Sequence, residues 1–175
     1  MAVAYLISSE GLTNLVPKLE MMAAASQASG SSDPQLHLFS RTATTGPDLY
    51  ASIALSDALD GIRPNGRYHD LLGHQWVLSV FSGWEGHYRS AIGEELGLSN
   101  PIACTEMGDL RHLRNDIVHH HGIATSGESG KLQLLTHVKV GRRISVSALE
   151  VELITRAMNA RLDEWTDLQP CTTIA

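Results

Sequence analysis

The sequence has little of what metal, redox and membrane proteins depend on. Its two cysteines, Cys104 and Cys171, form no ligand or redox spacing, so reduced thiols in a cytosolic protein are expected. No apolar run is long enough to cross a bilayer, and the apolar start at Val3 to Ile7 lacks the basic flank and length of a signal peptide. A soluble, cytoplasmic chain with no membrane partner follows. Gly-rich phosphate loops, a Gly-x-Ser-x-Gly elbow and His-Glu-x-x-His are all missing, which leaves nucleotide-dependent transfer, serine hydrolysis and zinc hydrolysis without a foothold. Positive charge is also scarce. Thirteen Lys and Arg face 19 Asp and Glu, and the formal charge of −6 excludes broad electrostatic binding of nucleic acid. An RNA site would have to be a local basic patch, for which Arg111, Arg114, Lys139, Arg142 and Arg143 are the candidates.

What is present is an ordinary globular composition, 43% apolar over 175 residues, enough for one domain with a real core. The patterning is mainly helical. Leu12 to Gln27 carries apolar residues at helical spacing, with Pro17 tolerable only in a first turn. Ala28 to Pro34 reads as a flexible connector, and Leu36 to Phe39 as a short strand or turn. Pro47 to Leu59 reads as a second helix with Leu49, Ile53 and Ala54 inward.

Tyr68 to Leu98 is the longest periodic segment, its stripe running through Trp76, Val77, Val80, Phe81, Trp84, Tyr88, Ile92 and Leu96. Asn100-Pro101 is placed to open the next helix. Thr125 to Gly130 reads as a loop, and alternation through Leu132, Leu134, Thr136, Val138 and Val140 predicts a small hairpin. Ser147-Ala148-Leu149-Glu150 is a capping box for a last helix with Leu149, Leu153, Ile154, Ala157, Met158, Leu162 and Trp165 on one side, stopped by Gln169-Pro170. The expected fold is therefore a small helical bundle, mainly α, with a short β-hairpin before the C-terminal helix.

Gly108 to Gly122 is the most informative stretch. Leu110, Leu113 and Ile117 make one buried stripe with Met107 and Val118 at its edge, and Gly122 is placed as a left-handed cap. Arg114 falls inside the apolar arc, whereas Arg111, Asn115 and His119 form a row on the polar flank. An arginine there either snorkels, or pairs with a carboxylate such as Glu85 or Asp109, or serves as a fixed cation at a contact with a second chain. Glu85 has two options, an i, i+4 pair with Arg89 or a reach across to Arg114.

Arg114-Asn115-Asp116-Ile117-Val118-His119 is similar to the Arg-Asn-x-x-x-His signature of the HEPN superfamily. Its context is similar too: Trp84-Glu85-Gly86-His87-Tyr88-Arg89 on a long upstream helix, a short linker, Gly108-Asp109-Leu110-Arg111, then the signature and Gly122. The succession resembles HEPN proteins of the prokaryotic defence and toxin type over about Tyr68 to Trp165. It implies a single HEPN-like domain over residues 1–175, with its core at 67–168 and residues 1–66 poorly matched. It also implies a metal-independent endoribonuclease with RNA as substrate, a homodimer with a composite site, and an antitoxin or defence-system partner. Arg114 and His119 would be catalytic, with Asn115, Arg111, Glu85 and His120 binding phosphate or orienting the site. Some HEPN toxins carry a tyrosine two residues after the histidine for modification by a partner nucleotidyltransferase; here His121 stands there, and an adenylylating antitoxin is not supported.

The chemistry is adequate. Cleavage at a 2′-hydroxyl needs a base and a cation on the phosphate, which histidine and arginine supply without a metal or other cofactor. The nine histidines do not change this, because His119, His120 and His121 point in different directions on a helix and cannot chelate one ion. One helix presents Arg114 and His119 about 7.5 Å apart along its axis and about 140° apart around it, so two copies about a two-fold axis would complete a groove. The alternative from another class is a non-catalytic helical module that dimerises or binds a partner or nucleotide through the same face.

Overall fold

The computed structural model describes residues 1–30, 32, 34–42, 46–98 and 102–167, with 38–42 and 46–50 described by backbone alone. The expected features at Cys171, Asn100-Pro101 and Gln169-Pro170, and the inward Leu49, lie outside that description. The protein is mainly α with one two-stranded antiparallel hairpin. In order, the elements are α1 (Ala2–Ala28), β1 (Gln35–Thr42), β2 (Gly46–Ala54), α2 (Leu55–Ile62), α3 (Arg67–Gly83), a π turn (Trp84–Tyr88), α4 (Arg89–Glu95), α5 (Thr105–His119), α6 (Ser126–Ser129) and α7 (Ala148–Asp167). No helix among the described residues is long and apolar enough to cross a membrane.

The chain divides into two compact units, Met1–Leu6 with Leu72–Ala175, and Ile7–Leu71. In the smaller unit Leu55, Ala58, Leu59 and Ile62 of α2 recur at helical spacing and bury against Leu19 of α1, with Leu12, Val16, Leu36 and Ile53 around them. Two expectations are corrected here. Helix α1 runs straight through Pro17, which is interior rather than in a first turn. Pro47 opens no helix: it pairs with Arg41 in the hairpin, and the helix begins only at Leu55. In a two-stranded sheet both strands are edges, and an edge is where a residue without an N–H is tolerated. The register shifts between Leu38 and Phe39, so the pairing steps from Ala51 to Leu49.

The larger unit holds the main core: Trp76, Val77 and Trp84 from the long helix, Met107, Leu110 and Leu113 from α5, Val151 and Ile154 from α7, and Leu135, Ile144 and Val146 between them. Trp84 stacks on Trp165 with ring centroids 6.2 Å apart. The π turn interrupts the predicted stripe. It inserts a residue into the helical repeat, and Tyr88, expected inward, is exposed. On α7 the buried arc is narrower than predicted, because Leu149 and Leu153 face out while Val151 takes a core position. The capping box forms as read: the Ser147 N–H donates to Glu150 Oε2 at 2.5 Å, and the Glu150 N–H to Ser147 Oγ at 3.4 Å.

The hairpin expected before the C-terminal helix is not there. Residues 131–146 form turns, tied by an isolated bridge between Ile123 and Arg143. The reason is Asp109. This buried carboxylate accepts three successive N–H groups, from Gln133 at 2.9 Å, Leu134 at 2.8 Å and Leu135 at 3.0 Å. Successive N–H groups of a strand point to opposite sides, so three cannot converge on one side chain unless the backbone curls.

Candidate functional site

Helix α5 sets the frame. Leu110 and Leu113 are fully buried, Met107 is buried beside them, and Val118 is exposed, so the Arg114 side is a border between core and solvent. The chain leaves the helix through two left-handed residues, His121 at φ +55° and then the predicted Gly122 at φ +74°, whose N–H donates to Asp116 O at 3.1 Å. Only glycine fits: a Cβ there would lie 2.6 Å from His74 Cε1, and His74 is held by Ile144 O, 2.8 Å from its Nε2.

Arg114 is half-buried, and its Nη1–H donates to Asn115 Oδ1 at 3.1 Å. Neither carboxylate considered for it is its partner. Asp109 is occupied by the three N–H groups above, and Glu85 pairs with Arg89 at 2.9 Å, which removes Glu85 from the site as an orienting group. Among the described residues Arg114 makes no ion pair. Asn115 in turn donates from Nδ2 to Glu128 Oε2 at a long 3.5 Å, and the same oxygen lies 2.5 Å from His112 Nδ1. An ionised carboxylate only accepts, so His112 Nδ1 carries the proton. The His112 bond holds the Glu128 carboxyl below its ordinary range, with Asn115 and Lys131 adding to the effect against partial desolvation.

Glu128 and His112 were not foreseen from sequence. Glu128 stands in Thr125-Ser126-Gly127-Glu128-Ser129-Gly130, a stretch without periodicity, and only its position after the cap hinted at proximity. What brings it back is Asp116, fully buried inside the signature, which accepts the Thr125 N–H at 3.0 Å and the Thr125 hydroxyl at 2.7 Å. Helix α6 follows at once and carries Glu128 to Asn115.

His119, His120 and His121 are exposed at the C-terminal end of α5. The backbone of the turn that carries three of the candidate cations lies just past them. The Ala124 N–H donates to Arg142 O, the Gly141 N–H to Ala124 O and the Ile144 N–H to Gly122 O, which ties the 139–143 turn, with Lys139, Arg142 and Arg143, to the chain just past Gly122. Arg111 is also exposed, about two helical turns before His119 on the same row. Within one copy the structure thus joins Arg114, Asn115, Glu128 and His112 in one hydrogen-bonded chain, and leaves His119 and His120 apart from it. Compared with family models, with curated proteins and with solved structures, the chain matches none.

Proposed function

We propose that the chain is a metal-independent endoribonuclease of HEPN type, in which Arg114 binds the scissile phosphate and His119 moves the proton. The observation that carries this reading is a half-buried guanidinium whose hydrogen bond goes to the neutral Asn115, five residues before an exposed histidine on the same helix. A fixed cation without an anionic partner is poised for a phosphate. Asn115 then acts on Arg114 rather than on RNA, since its amide is engaged on both sides. The basic turn beside His119 supplies the local patch that an acidic protein needs for RNA. The setting we propose is cytoplasmic toxin–antitoxin or antiphage defence, with a protein partner that restrains cleavage.

The test is incubation of the pure protein with total RNA in EDTA. Cleavage should persist in the chelator and fall by about 100-fold or more in His119→Ala and in Arg114→Ala, the scale of losing a general base or a phosphate clamp. Cleavage abolished by EDTA, or undiminished in both variants, would sink the reading. The observation favouring the rival module is that His119 stands apart from the Arg114 chain in one copy; RNA left intact by a folded protein that binds a partner through α5 would support it.

A homodimer answers that separation. Val118, Ile123 and Val140 are all exposed, and the Gly141 bond to Ala124 sets Val140 near the same end of α5. A second copy across this end would cover them and bring its own Arg114 toward the groove. Val118→Asp is expected to give a folded monomer by sedimentation and circular dichroism, with cleavage lost. A wild-type monomer that cuts RNA would remove the dimer from the mechanism. Met107 is no substitute for this test, because it lies in the core.

A further inference from the structure

The first half of α5 borders a separate cleft of about 490 Å³. Its wall takes cations from three parts of the chain: Arg111 from α5, Lys131 after α6 and Arg161 from α7. Among the described lining residues the one carboxylate is Asp109, already absorbed by three backbone N–H groups. Three further carboxylates stand close by: Glu128 is paired with His112 and Lys131, Glu164 with Arg161, and Glu106 reaches Arg161 through Oε1 at 3.7 Å while its buried Oε2 has no partner among the described residues. Arg111 has no ion pair among the described residues. The cleft also meets the positive end of the α5 dipole, where the cap is Cys104, whose thiol is a weak acceptor for the first-turn N–H groups.

One donor in this wall is open to a ligand. The His112 side chain is nine-tenths buried and lines the cleft, and with Nδ1 committed to Glu128 its Nε2 has no partner among the described residues while still being reached by solvent. Arg161 Nε is buried without a partner, and so is Oε2 of its ion-pair partner Glu106. Gly108 completes the shape: it lines the cleft without a side chain, and a Cβ there would meet nothing within 4 Å.

We propose that this cleft is a binding site for a phosphate group, held by Arg111 and Lys131 at its mouth and by the His112 Nε2–H and Arg161 within. The phosphate is a monoester, either on a free mononucleotide or at the end of an RNA strand. The site shares His112 with the hydrogen-bonded chain that runs through Glu128 and Asn115 to Arg114, but it does not require that Arg114 and His119 cleave RNA.

The test is calorimetric titration of the full chain with adenosine 5′-monophosphate, and with a short oligoribonucleotide carrying either a 5′-phosphate or a 5′-hydroxyl. Binding of the mononucleotide assigns the free source, and binding of the 5′-phosphorylated strand alone assigns the strand end. Arg111→Gln with Lys131→Gln should weaken the bound probe at least 10-fold. Gly108→Leu, which fills the cleft without touching charge, should abolish binding while thermal unfolding stays near wild type. Arg114→Ala should leave the preference for the 5′-phosphate over the 5′-hydroxyl strand unchanged, even where it weakens both strands alike, which separates this site from the cleavage reading. Failure of every probe to bind overturns the proposal. So does binding that survives Gly108→Leu and the Arg111, Lys131 double variant, or binding lost only in Arg114→Ala.

Discussion

Asp109→Ala is expected to lose about 3–5 kcal/mol of stability and to lower the unfolding midpoint by on the order of 10 °C. The carboxylate is 1% exposed, and its three N–H partners belong to a segment that has no sheet to turn to. Removing it strands those donors at once, each at about 1–3 kcal/mol where water cannot replace the acceptor. Leu135, which the third bond fixes, is itself 1% exposed, so the loss reaches the core. Asp109→Asn sharpens the test. The amide oxygen can take the Leu134 and Leu135 N–H groups together, but the NH₂ group then faces the Gln133 N–H, and donor against donor repels. Asn should therefore still be clearly destabilising in a denaturant titration, though less so than Ala. An Asn variant as stable as wild type would show that packing around residue 109, not its charge, holds the 131–146 turns.

That carboxylate also explains which parts of the fold could be read from sequence. Local chemistry was legible: the apolar row of α5, the glycine that must sit at positive φ after it, and the Ser147 and Glu150 box all act within a few residues. The long helix was legible in extent but not in rotation, because a π turn adds a residue with no sequence mark that periodicity can detect. Residues 131–146 failed for a different reason. Their apolar spacing satisfied a strand template, yet the deeply buried members are Leu132 and Leu135, three apart, as a curled segment on a distant side chain requires. The hairpin at Gln35–Ala54 was missed because Pro47 fits a helix start and an edge strand equally well in isolation. At the site, Arg114, Asn115 and His119 were visible as a spacing on one helix. Glu128 and His112 were not, since a hydrogen bond over 16 residues is a property of how the loop folds back.

Asp116 ties that folding back, and Asp116→Ala is expected to cost about 3–5 kcal/mol and to stop the RNA cleavage we propose under conditions where the protein is still folded. Its two oxygens hold the Thr125 N–H and hydroxyl, two hydrogen bonds to a charged group at 0% exposure, each worth about 1.5–3 kcal/mol. Thr125 begins the turn that delivers Glu128, and its carbonyl accepts the Ser129 hydroxyl at 2.5 Å. With Thr125 released, Glu128 leaves Asn115 and His112, and Asn115 no longer fixes Arg114. A phosphate clamp displaced by about 1 Å can lose 100-fold in rate, so activity should fail before the core does. Glu128→Gln separates the two effects: it keeps the turn and the side-chain volume but surrenders the charge that His112 donates to. It should unfold close to wild type and still lose about 10-fold or more in cleavage, through Asn115 and Arg114. Comparing the rates of Asp116→Ala, Glu128→Gln and Asn115→Ala at a temperature where all three retain native circular dichroism checks the chain of dependence. If Glu128→Gln and Asn115→Ala cleave at the wild-type rate, Arg114 is held by the core alone and the relay from Asp116 plays no part.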